Sequence, residues 1–125
     1  LNFERIPVLK LGSFLLVTVQ GTLEDRTALA LQEDLTRKVE KTGAGGVLVD
    51  ISGLDLVDSF VGRMLYTLTA VMKLMDVETV VVGMQPAVAM TLVELGLNLP
   101  GTLTAMNVDR GLELLRQRLR SRSAC

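Results

Sequence analysis

The chain predicts an α/β domain, a mixed sheet of about five strands packed with about four α-helices. Three observations lead there. Short β-rich runs alternate with longer segments whose apolar residues recur every three or four positions. Glycine, proline or a capping residue punctuates most of the junctions. Of the 125 residues, 49% are hydrophobic, ample for a single core in a chain of this length.

The opening segment IPVLKLGSFLLVTVQGTL reads as two short strands around the turn Gly12-Ser13. Leu15, Val17 and Val19 alternate with Leu16, Thr18 and Gln20, the period of a half-buried strand. In TLEDRTALALQEDLTRKVEKTG, Ala28, Leu31, Leu35 and Val39 share one helical face, and Glu33, Asp34, Arg37 and Lys41 take the other. Acidic residues near its start suit the helix dipole, and Gly43 just past its end suits a left-handed cap. GGVLVDIS is a continuous apolar run between glycines and a polar turn, as in a central buried strand. SFVGRMLYTLTAVMKLM follows as a helix with Phe60, Met64, Leu68, Val71 and Met75 on the expected inward stripe. ETVVVG is another buried strand, and QPAVAMTLVELG a helix with Pro86 in its first turn and Gly96 at its C-terminal cap. TLTAM supplies a last short strand. NVDRGLELLRQRLRS closes the chain as a helix with Asn107 as N-cap and Val108, Leu112, Leu115 and Leu119 inward. The first strand pair is expected antiparallel, and the later strand–helix–strand units parallel with right-handed crossovers. With no repeat, low-complexity tract or linker, residues 1–125 are expected to form one domain.

Composition removes several chemistries. The absence of histidine takes away the commonest general base and the imidazole metal ligands. A single cysteine, Cys125, builds neither a zinc site nor an internal disulfide, in keeping with a reducing cytoplasm. A net charge of −1 draws no nucleic acid toward the domain, and Phe3, Phe14, Phe60 and Tyr66 are too few for base stacking. Apolar runs fall far short of a membrane span, and LNFERIPVLK lacks the marks of a secretory signal.

Among the motifs, GAGG at 43–46 lacks the lysine and hydroxyl of a phosphate-binding loop and leads into a strand, so it reads as a helix cap and turn. Arg116, Arg118, Arg120 and Arg122 read as a solvated tail favouring the negative end of the last helix. The methionines 64, 72, 75, 84, 90 and 106 are spaced as core filler, and Asp55 and Asp58 lie on a loop with no partner base. Ser59, in VDSF, stands where a strand pattern gives way to a helix pattern. Serine there is a preferred N-cap, and a phosphate on it would meet the free N–H groups and positive dipole of the same helix end. Cap and modification site are both open readings, and they are compatible.

The stretch KTGAGGVLVDISGLDLVDSFVGRML resembles the signature of STAS domains, the bacterial anti-sigma factor antagonists. In that signature a buried strand ends in D-[LI]-[ST], a loop carries an aspartate, and D-S opens the next helix. IPVLKL, TALALQEDL, VDSF, KLM and QPAVAMTLVELG extend the resemblance over the whole chain, toward the small RsbS-type scaffolds of stressosomes. The resemblance implies a STAS (SpoIIAA-like) fold, no catalytic activity, no cofactor or metal, and a cytoplasmic protein.

It further implies that Ser59 is the phosphorylated serine. In that scheme the protein co-assembles with RsbR-type STAS paralogues bearing sensor domains and sequesters an RsbT-type serine kinase. The kinase departs after phosphorylating the scaffold, and an RsbX-type phosphatase resets it. Without a long sensor region, the scaffold role is expected rather than the paralogue's. Asp55, Asp58, Ser59, Phe60 and the expectedly exposed Gly62 and Arg63 would form or border the kinase-facing surface. The alternative within the family is a stand-alone anti-anti-sigma factor that binds an anti-sigma factor kinase directly. An enzymatic or nucleotide-binding α/β domain is poorly supported, for want of a phosphate loop and a nucleophile–base pair.

Overall fold

The computed structural model describes residues 5–21, 23–54, 57–99 and 101–123. Asp55 and Cys125 therefore lie outside the described residues. The elements run β1 (Val8–Leu11), β2 (Phe14–Gln20), α1 (Asp25–Thr42), β3 (Gly46–Gly53), α2 (Ser59–Leu74), β4 (Glu78–Val82), α3 (Pro86–Glu94), β5 (Leu103–Ala105) and α4 (Val108–Ser123). Their order and type follow the sequence reading. The strands form one sheet in the order β1-β2-β3-β4-β5. β1 and β2 pair antiparallel around the turn, with Leu11 opposite Phe14, and the remaining pairs are parallel.

Alternation along each strand divides the core into two layers. Leu15, Val17 and Val19 of β2, Val47, Val49 and Ile51 of β3, and Val81 of β4 pack with α1, α2 and α3. Leu48, Val80 and Val82 face the opposite way and pack with Leu115 of α4. The α1 stripe is buried as expected, and Gly43 ends the helix at φ 69, its N–H donating to the Val39 carbonyl. Asn107 caps α4, its Oδ1 accepting the Arg110 N–H at 2.9 Å. Gly111 lets α4 settle on the sheet: a Cβ there would lie 2.6 Å from Leu48 Cδ2 and 2.8 Å from Val82 Cγ1. That close approach offsets the roughly 1 kcal/mol a mid-helix glycine costs.

Three expectations are corrected. On α2 the buried residues are Val61, Gly62, Met64, Leu65, Leu68, Thr69 and Met72, so the inward face is rotated from the stripe read in sequence. Met64 and Leu68 belong to both, whereas Phe60 and Val71 are half-buried and Met75 is exposed. Apolar residues spread beyond a single narrow stripe of this helix, so its period alone does not fix the inward face. Methionine is likewise not uniformly core filler: Met64 and Met72 are buried, but Met90 is 63% and Met106 87% exposed. The basic tail is not wholly free either. Arg122 Nη2 donates to Asp76 Oδ1 at 2.6 Å and Nη1 lies 3.7 Å from Glu78 Oε1, pinning α4 to the turn before β4.

Candidate functional site

The site stands at the carboxyl ends of the parallel strands, where β3 hands over to α2. Past Gly53, the Leu54 N–H donates to the Ile51 carbonyl at 3.0 Å and the Leu54 side chain is fully buried, which anchors the loop. Asp58 then adopts an extended backbone, and its Oδ1 accepts the Val61 N–H at 2.9 Å. Its carbonyl accepts the Gly62 N–H at 3.0 Å, the first hydrogen bond of the helix.

Asp58 is therefore the N-cap, and Ser59, expected in that role, is the first helical residue. Both residues are good caps, and the ladder decides between them: the cap is the residue whose carbonyl accepts the first helical N–H. Ser59 is thus exposed and its hydroxyl is not engaged in capping. Replacing Asp58 with alanine is expected to cost about 1 kcal/mol in urea unfolding, and Ser59→Ala only a few tenths. Equal costs would return the capping role to Ser59.

Around this hydroxyl the predicted surface residues part company. Phe60 is half-buried against the core, and Arg63 is exposed one turn along α2. Gly62, expected to be exposed, is buried: a Cβ there would meet Leu95 Cδ1 and Leu97 Cδ1, both at 3.1 Å. The missing side chain lets the end of α3 and its following turn close on α2, which takes this position off the surface. Asp58, Ser59 and Arg63 remain as the polar face of the first turns, while Asp55 lies outside the described residues.

A second wall, missed in the sequence reading, fixes the neighbouring strand end. Ser52 donates its N–H and its hydroxyl to Asp50 Oδ1, at 3.0 and 2.8 Å. Gln85 Nε2 donates to the Ser52 carbonyl at 2.8 Å, tying the start of α3 to the end of β3. Gly83 takes φ +74, and a Cβ there would stand 2.6 Å from Ser52 Cβ. The sequence signals were the polar alternation in VDIS and the glycine closing ETVVVG; neither reveals that the two segments touch.

Chemically, the site offers an exposed hydroxyl with no activating base among the described residues. The nearest carboxylate in sequence, Asp58, is held by the Val61 N–H. Such a group suits an acceptor of modification better than a nucleophile, since nucleophilic serine needs an adjacent base. Among the described residues no three potential metal ligands converge, and no helix is long and apolar enough to cross a membrane.

Comparison with known proteins gives a consistent neighbourhood. The STAS domain family model matches residues 5–117. RsbS of Moorella thermoacetica, in a form with a serine replaced by glutamate, matches at a TM-score of 0.84 and 36% identity, over 94% of this chain and 99% of that one. A chain from the molecular architecture of the stressosome, a signal integration and transduction hub, matches at a TM-score of 0.82 and 37% identity, over 91% and 99%. The RsbT co-antagonist protein RsbRA of Bacillus subtilis is 28% identical over 111 residues, 89% of this chain but 38% of that protein. The chain thus spans less than half the length of the RsbT co-antagonist relatives it matches.

Proposed function

The chain belongs to the STAS domain family, and from that premise we propose a non-enzymatic scaffold and antagonist that sequesters an RsbT-type serine kinase until Ser59 is phosphorylated. The observation that carries the reading is the division of labour at α2: Asp58 caps the helix, leaving the Ser59 hydroxyl exposed in its first turn. The likeness to RsbS and to a stressosome chain supports assembly with STAS paralogues of the RsbR type in a large cytoplasmic complex.

In this reading the kinase docks over Asp58, Ser59, Phe60 and Arg63, with Asp55 at the border. Ser59 Oγ attacks the γ-phosphorus of ATP. The new Oγ–P bond forms as the bond to the bridging oxygen of ADP breaks, and the hydroxyl proton passes to a base on the kinase. The product carries about −1.5 to −2 charge next to Asp58. Like-charge repulsion and the desolvation of a dianion then oppose a packed interface. An RsbX-type phosphatase restores the surface by hydrolysing the Oγ–P bond, with inorganic phosphate leaving.

The test is intact-mass analysis and peptide mapping after incubation with an RsbT-type kinase and ATP. One phosphate is expected, on Ser59, and none on Ser59→Ala. An unmodified chain that still co-assembles with an RsbR-type paralogue would leave a plain scaffold and remove the switch.

A further inference from the structure

We infer that Arg63 is the intramolecular partner of the phosphate on Ser59, so that modification both adds negative charge and withdraws a guanidinium from the docking surface. This rests on the reading of Ser59 as the phosphorylated residue. The two positions are four apart on α2, the spacing at which side chains on one helix face meet. Both are exposed, whereas the intervening Val61 and Gly62 are buried. The anion would stand N-terminal to the cation, the order that also agrees with the helix dipole.

Arg63 is available for that role. Its helical neighbours three and four positions away are Ser59, Phe60, Tyr66 and Thr67, and α2 contains no aspartate or glutamate. Among the described residues no carboxylate stands within ion-pair distance of Arg63, neither Asp58 nor Glu94 at the end of α3. Arg5, Arg37, Arg110 and Arg122, by contrast, already face Asp34, Glu113, Asp76 or Glu78. A guanidinium forks onto phosphate oxygens through paired charge-assisted hydrogen bonds, and here it would offset the repulsion that Asp58 exerts on the phosphate. Before modification the same cation is free to meet a partner; afterwards it is occupied by its own chain.

The pair is tested on the full chain with phosphoserine inserted at position 59 during translation, so that no kinase is required. Phosphorus NMR titration follows the second ionisation of the phosphate. Arg63→Gln is expected to raise that midpoint by about 0.15 to 0.4 pH unit at low salt, with Arg63→Lys in between. The difference should collapse near about 1 M salt, as screening demands. In wild type the Arg63 Nε–H resonance should move on phosphorylation. Coincident titrations in wild type and Arg63→Gln, with an unmoved Nε–H resonance, would overturn the ion pair. That failure is separate from the failure of a kinase to modify Ser59, which bears on the proposed function alone.

Discussion

Ser59→Asp is expected to shorten the residence of an RsbT-type kinase on this chain by an order of magnitude or more, while Ser59→Ala retains it. The carboxylate would not disturb the fold. An acidic residue in the first turn is favourable by about 0.3–1 kcal/mol against the helix dipole, so the variant should melt no lower than wild type. Its cost arises only in the complex, where a charge next to Asp58 is stripped of water. Truncated or mismatched charges at interfaces cost about 2–5 kcal/mol, and a loss of 1.4 kcal/mol is already tenfold. Ser59→Asn is the control, with the same shape as aspartate and no charge. Dissociation measured by biolayer interferometry should rank alanine and asparagine near wild type, with aspartate fast. If asparagine releases the kinase as readily as aspartate, bulk rather than charge operates the surface.

Gly83→Val is expected to destabilise the domain by about 3 kcal/mol, the largest effect on stability among these predictions. Two costs add. Gly83 sits at φ +74, where an L side chain costs about 1–2 kcal/mol. Its Cβ would also fall 2.6 Å from Ser52 Cβ and 3.1 Å from Ser52 Cα, forcing apart the ends of β3 and β4; overpacking of this kind costs about 1–3 kcal/mol. The Gly83 N–H bond to the Ala105 carbonyl, 3.0 Å, would be strained with it. Urea unfolding should show a lower midpoint with an unchanged slope. A midpoint at the wild-type value would mean that the strand ends separate freely and that the contact with Ser52 fixes nothing.

The same contact marks where sequence reading ran out. The α/β class, the element order and the antiparallel opening pair were legible because each rests on local signals. Alternation in Leu15, Val17 and Val19 specifies a strand; Ala28, Leu31, Leu35 and Val39 specify a helical face; Gly43, Pro86 and Asn107 mark ends. VDSF was legible as a helix start, though one residue off, because serine and aspartate are near-equal caps and only the backbone ladder separates them.

Burial and partnership across the fold were decided by the tertiary structure. Gly62 has no side chain to advertise its environment, and only the approach of Leu95 and Leu97 removes it from the surface. The inward face of α2 was chosen by the layer of β3, β4 and α3 packed against it, since its own residues are apolar on several sides. Arg122 found Asp76 across 46 positions, and Gln85 found Ser52 across 33. By itself, then, the sequence determined which segments become strands and helices, the family resemblance and the serine at the mouth of α2. The tertiary structure alone decided which residue caps that helix, which neighbours stay on the surface, and that the cation four residues on from the serine meets no carboxylate among the described residues. Propensity and period act over a few residues, whereas packing sums contacts between segments that the chain order leaves far apart.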